Sequence, residues 1–316
     1  MDCETAILIN VKDRPTELAL LMQSLNTQTY KDFDIYVLDD CSGTPLQSYH
    51  FFNCLNSILK QNHRVFIKRT EFCEGVSNAR QKIVDWVRQM PFKYKYYARL
   101  DDDCILTEDY LERLIKVIKE GYALASGVTI PCQPSLKRDP KFLKGIVNRV
   151  ILDKEGNFIM NGDSCGNEYI ESKILLADHF RSCALYKAEI HDKINYVPTP
   201  LSWHGFREEQ IFSFRLILSG FKIGVDMGAI NYHQNTPSGG ERGTQTKENT
   251  SFNQLQLEEF TKESFLKQHP EALCLGRLLM NDTPFAYEKF SELPGWTLKK
   301  CKALHQRFID GRKLKE

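Results

Sequence analysis

Charge of either sign is not in excess: 42 lysines and arginines stand against 41 aspartates and glutamates, a formal net charge of +1 over 316 residues. So balanced a chain has no global field to draw it to nucleic acid or an anionic membrane, so any polyanion it holds must be held locally. Long apolar runs are also missing, and none approaches the ~20 residues of a membrane span. The opening MDCETAILINVKDRP lacks the basic start and longer apolar core of a secretory leader. Ten cysteines, at 3, 41, 54, 73, 104, 132, 165, 183, 274 and 301, form no CxxC pair and no zinc spacing. That pattern predicts a reduced protein with mostly buried thiols, soluble and cytoplasmic. GxGxxG is absent, as is GxxxxGK followed by Ser or Thr, which removes dehydrogenase and P-loop kinase readings. There is no internal repeat.

What is present is 42% hydrophobic residues, enough for a large core, and a regular alternation of two periodicities. AILINV (6–11), DIYVLD (34–39), VFIKR (65–69), YYARL (96–100) and LASGVTI (124–130) read as strands. Between them, residues 16–28, 52–61, 76–89 and 108–120 carry helical spacing. Thr107 is the expected N-cap of the last of these and Gly121 its C-terminal turn. Strands alternating with crossover helices predict an α/β fold, a mostly parallel sheet with helices on both faces, and a ligand site at the carboxyl ends of the strands. Further on, VILDKEGNFIM predicts a hairpin turning at Lys154 to Asn157, a helix is expected from Glu208 to Ser219, and GFKIGVDMGAINYH reads as two short strands. Residues 234–252 are polar and glycine-bearing, a flexible loop, and 253–316 show mixed helical character with a basic end.

The stretch YYARLDDDCILTEDYL, 96–111, ends a buried strand on Asp101, Asp102 and Asp103. Alternation sends Asp101 and Asp103 to one side and Asp102 to the other. Two like charges at the ligand edge of a sheet repel unless a cation lies with them, which suits a divalent metal completed by water and phosphate. An acidic helix start with no ligand is the plain alternative.

This stretch resembles the DxD motif of GT-A fold glycosyltransferases, family 2 in particular, and four other segments follow in that family's order. They are ILINVKDRPTELALLMQSLNTQTYKDFDIYVLDDCSG, EGVSNARQKIV, HFRSCALYKAEI and SWHGFREEQIFSFRLILSGFKIG. The resemblance covers roughly residues 5–233 and implies a catalytic domain over 1–233, with a nucleotide-binding half (1–130) and an acceptor half (131–233). It implies an inverting enzyme that moves a sugar from a nucleotide-sugar donor, UDP-sugar most commonly, to a hydroxyl-bearing acceptor: a glycan, a lipid-linked saccharide or a protein. Mn²⁺ or Mg²⁺ would be held by Asp103, with Asp101 at the ribose or metal shell and His233 as third ligand. Asp40 would meet the base while Asp39 holds the turn, and Asp102, Arg14 and Arg80 fall on the donor side. The second acid of the pair starting the 208–219 helix would take the acceptor proton, which points to Glu209; Glu for the family's usual Asp leaves Glu208 as the other choice.

The residues themselves keep alternatives open. His233 also reads as a strand-end packing residue, Asp39 and Asp40 as loop caps, and Arg80 as a helix charge paired with Glu74. Arg215, in an apolar run, needs a partner, either a diphosphate or a structural carboxylate. Trp203 and His204 suit an acceptor platform or a core. The 234–252 loop suits a lid or a connector, and the basic tail suits an anionic lipid surface or water. As whole-protein alternatives, a DxD phosphatase would use Asp101 as nucleophile, although Ile105 departs from its pattern. A nucleotidyltransferase would need a glycine-rich first loop that NVKDRP lacks, and a non-catalytic nucleotide-sugar-binding protein follows if the Glu-Glu pair is disabling.

Overall fold

The computed structural model describes residues 3–132, 149–152, 158–161, 174–177, 180–196, 208–236 and 239. Strand β1 (Thr5–Val11) shows how the core is divided. Ala6 and Leu8 enter one apolar cluster, whereas Ile7, Ile9 and Val11 enter the other, as the two-residue period of a strand between two layers requires. Helices α1 (Pro15–Asn26), α2 (His50–Leu59) and α4 (Tyr110–Lys119) cover the second face. Helices α3 (Val76–Gln89) and α5 (Glu208–Leu218) cover the first.

The other strands are β2 (Phe33–Asp39), β3 (Val65–Arg69), β4 (Tyr96–Asp101), β5 (Cys104–Leu106), β6 (Leu124–Pro131), β7 (Arg149–Leu152), β8 (Phe158–Asn161), β9 (Ile174–Ala177), β10 (Ala184–Lys187) and β11 (Ile223–His233). The main sheet has nine strands in the order β3-β2-β1-β4-β10-β6-β11-β5, with β9 also on β11. Pairs β3-β2, β2-β1, β1-β4 and β6-β11 are parallel. β10 runs antiparallel to both β4 and β6, so those two are parallel to each other. The carboxyl ends of β1, β2, β3, β4, β6 and β11 therefore lie along one edge. Among the described residues no helix is long and apolar enough to cross a membrane.

Four expectations change. Residues 223–233 form one strand with a bulge where two short strands were expected: Val225 is opposite Ser126 and Ile230 opposite Val128, so Asp226 to Ala229 stand against Gly127 alone. Thr107 is not the N-cap; Asp109 holds that position, and the Thr107 hydroxyl donates to the Ile230 carbonyl at 3.1 Å, which ties α4 to β11. Strand β10, read only as an apolar stretch, is a central strand. The thiols are not mostly buried: of the seven described cysteines, all free, only Cys104 and Cys183 are buried. The hairpin appears as the antiparallel pair β7-β8, while its turn at Lys154 to Asn157 lies outside the described residues.

The bulge depends on Gly127. A Cβ there would lie 2.1 Å from the Ala229 carbonyl oxygen and 2.7 Å from Tyr110 Cε2, and the obstructing carbonyl is backbone that cannot swing aside. Gly127→Ala is expected to destabilise the protein by about 1–3 kcal/mol in urea unfolding, the range of an overpacked core. Gly43→Ala, whose Cβ would meet only Asp13 Oδ1 at 3.5 Å, is the control and should stay within about 0.5 kcal/mol.

Candidate active site

Asp101 closes β4, and the chain turns immediately into β5, whose Cys104 pairs with His233 at the end of β11. The Gln234 N–H donates to the Asp103 carbonyl at 2.8 Å, which completes the junction. His233 Nε2 comes 3.3 Å from Asp103 Oδ1, and its Nδ1 accepts the Asn235 N–H at 3.2 Å. Asp101, Asp103 and His233 each offer one ligand atom, all within 4.8 Å of one another. Two ligands on opposite sides of one Mg²⁺ or Mn²⁺ stand roughly 4.2 Å apart, so a slight contraction would seat such an ion. Two carboxylates and an imidazole are also a donor set that suits it.

Asp102 does not turn away, as simple alternation predicts, because the strand has ended. Arg14 Nη1 bonds both Asp102 Oδ1 at 3.2 Å and Asp103 Oδ2 at 3.1 Å, and Nη2 reaches the Gly239 carbonyl at 3.3 Å. Burial pushes the Asp102 carboxyl up to about 7 against the pull of Arg14. Asp101 goes the other way. Burial raises it, but Arg80 and Arg99 together outweigh burial and hold the carboxyl well below its ordinary range. Arg80, one turn into α3, pairs with Asp101 and donates to the Leu100 carbonyl at 3.4 Å. Glu74, its alternative partner from the sequence, pairs with Lys82.

Arg99 is the residue that sequence reasoning passed over. Its guanidinium is buried, with Nη1 at 3.0 Å from Glu208 Oε2 and Nη2 at 2.5 Å from Glu208 Oε1, 3.1 Å from Glu209 Oε1 and 3.7 Å from Asp101 Oδ1. An arginine inside the otherwise apolar YYARL was the available signal, since a strand buried on both faces holds a cation only among carboxylates. Glu208 and Glu209 open α5. Phe212, one turn on, stacks on Tyr196 with centroids 4.4 Å apart, and Ser213 Oγ donates to the Glu209 carbonyl at 2.7 Å. The Ser182 N–H, from a residue at φ +55°, donates to Glu209 Oε1 at 3.0 Å; a backbone donor of this kind has no side-chain signature. Burial, with Asp101 and Glu208 adding, raises Glu209 to about 7 despite Arg99.

At the ends of β1 and β2 two loops clasp each other. Asp13 N–H donates to Ser42 Oγ at 2.9 Å and Gly43 N–H to Asp13 Oδ1 at 2.6 Å, with Asp13 and Cys41 both at positive φ. Asp39 Oδ1 accepts the Ser42 N–H at 2.9 Å, a turn-holding contact. Asp40 accepts N–H groups of Glu74 at 2.8 Å and Gly75 at 3.1 Å and the Thr70 hydroxyl at 3.2 Å, which anchors the 70–75 loop; burial raises its pKa. Arg215 is half-buried and donates to the Asn195 carbonyl at 3.2 Å, on a later turn of α5 than the glutamates. Trp203, His204, the tail 253–316 and most of the 234–252 loop lie outside the described residues.

The model of the family described as "Glycosyl transferase family 2" matches residues 6–194. No curated protein matches the sequence. Among solved structures, GalNAc-T7 with UDP, GalNAc and Mn²⁺ is similar at a TM-score of 0.57 and 14% identity, covering 98% of this chain and 55% of that one. Residues 1–349 of S. aureus TarS, in complex with UDP-GlcNAc, are similar at a TM-score of 0.54 and 13% identity, covering 98% and 81%. The chain thus spans about half of GalNAc-T7 and most of that TarS fragment, and at these identities the likeness is one of fold. With more than half of its length matched by the family, the chain belongs to glycosyl transferase family 2, and its fold is the GT-A fold of the structures it resembles.

Proposed function

We propose that this glycosyltransferase moves a sugar from a UDP-sugar to an acceptor hydroxyl with inversion, Glu209 serving as base and Asp101, Asp103 and His233 as the ligands of Mn²⁺ or Mg²⁺. The observation that carries the reading is one of placement. The Asp101–Asp103–His233 cluster and the α5 glutamates meet at the same sheet edge through Arg99. The UDP and Mn²⁺ bound to GalNAc-T7 and the UDP-GlcNAc bound to TarS favour the same donor nucleotide and metal here. The 1–233 unit is our catalytic domain, since β11 and His233 complete the sheet that the family match begins.

When bound, the divalent cation would neutralise charge growing on the leaving diphosphate. The chain's own residues do the rest. Asp40 and the clasped loops at 13 and 42–43 would border the base and ribose, and Arg14 and Arg80, already held by carboxylates, would turn to phosphate oxygens, anions they fit bidentately. Glu209 takes the acceptor's proton as the acceptor oxygen attacks the anomeric carbon opposite the diphosphate. The C–O bond to the diphosphate breaks with its electron pair on the leaving group. A base near 7 suits this work at neutral pH, and Glu208, whose two oxygens are both engaged by Arg99, does not. Trp203 and His204 would border the acceptor.

Two outcomes are expected. The native protein is expected to show Mn²⁺-dependent thermal stabilisation by UDP, and Asp103→Ala should remove it; a shift of native size in the variant overturns the ligand assignment. Turnover can be read as hydrolysis across a panel of UDP-sugars, with water in the acceptor's place. Glu209→Gln should lower kcat by about 10²–10⁴, the usual weight of a general base, while UDP affinity changes less than about threefold. Because the base acts ionised, native kcat should rise with pH through about 7, and this limb should vanish in Glu209→Gln.

A further inference from the structure

Two consecutive glutamates at a helix start raise the question of why one acts as base and its neighbour does not. We propose that Arg99 makes that choice: it is a positioning residue that holds Glu208 as its counter-ion and presents Glu209 to the acceptor. The inference rests on the function proposed above and adds a residue to it.

Arg99 has no freedom to do otherwise. Its side chain is 2% exposed, and the faces of Phe180 and Tyr196 lie 5.2 and 5.8 Å from its guanidinium carbon. Its two terminal nitrogens grip both oxygens of Glu208, at 3.0 and 2.5 Å. A carboxylate held in this way has a lone pair of each oxygen engaged by Arg99 and, with its side chain only 5% exposed, little surface for an acceptor to reach. Glu209 is held by one oxygen. Oε1 takes both the Arg99 N–H at 3.1 Å and the Ser182 N–H at 3.0 Å, and Oε2 has no protein hydrogen bond among the described residues. The Glu209 side chain is 23% exposed against 5% for Glu208. A glutamate has one more rotor than an aspartate, and two donors on a single oxygen remove that freedom while leaving the other oxygen open to receive a proton. The same guanidinium stands 3.7 Å from Asp101, so the base is placed relative to the donor side by one rigid cation.

The test is a mutant cycle read as UDP-sugar hydrolysis with Mn²⁺. Arg99→Lys keeps the charge but cannot span Glu208 and Glu209 together. Its kcat should fall roughly 10²-fold, with donor KM and UDP affinity within about threefold of native. Placed on Glu209→Gln, Arg99→Lys should cost nothing further, because it acts through the base. Arg99→Met with Glu208→Leu replaces the buried pair by apolar groups and should recover the melting temperature but not kcat. If the Arg99 variants do not fold, Glu208→Gln carries the test. Glu209 is faced by Arg99 and Asp101 from β4 and by Glu208 from its own helix, so neutralising Glu208 should move the acid limb of kcat to lower pH. Native-like kcat in a folded Arg99 variant overturns the proposal, as does an additive loss on Glu209→Gln or an unmoved limb in Glu208→Gln. A native protein that neither binds UDP with Mn²⁺ nor turns over any UDP-sugar refutes the function instead.

Discussion

Five carboxylates, Asp101, Asp102, Asp103, Glu208 and Glu209, crowd one edge of the sheet, and the local structure is built around keeping them there. Two unit charges about 4 Å apart repel by roughly 4 kcal/mol at an effective dielectric of 20, so the cluster cannot exist without cations inside it. Arg14, Arg80 and Arg99 supply three. Two negative charges remain, and at Asp102 and Glu209 burial, with the neighbouring carboxylates adding to it, pushes the pKa up to about 7. A divalent cation would bring the same two charges.

Much of this was legible in the sequence, for physical reasons that differ by element. β2 and α3 fall within a residue of where periodicity puts them, because a strand buried on both faces and an amphipathic helix each impose a pattern over several residues. The DDD run marked the edge at which Asp101 and Asp103 gather with His233. What escaped the sequence is whatever depends on contacts between distant segments. β10 is four residues long and is a strand only because β4 and β6 flank it. Thr107 has the chemistry of an N-cap, yet the helix begins two residues later at Asp109 and the Thr107 hydroxyl donates to a β11 carbonyl. The pairing of Arg99 with residues 109 and 110 positions away could be suspected from an arginine in a buried strand, but its partners could not be named.

The arrangement also explains why His233 can be reached from so late in the chain. A strand that ran in perfect register beside β6 would carry its end residue to a different height along the edge. The four bulge residues opposite Gly127 shift the register of β11 by three and bring His233 opposite Pro131 on one side and Cys104 on the other. Asp226 Oδ1 accepts the Gly228 N–H at 2.8 Å inside that bulge and holds its shape. The position of His233 is therefore set from the middle of the sheet, at a glycine with no side chain to obstruct a carbonyl. Backbone geometry in the centre of the sheet and charge balance at its rim are two parts of the same constraint: the first decides which groups meet, the second decides what must lie between them.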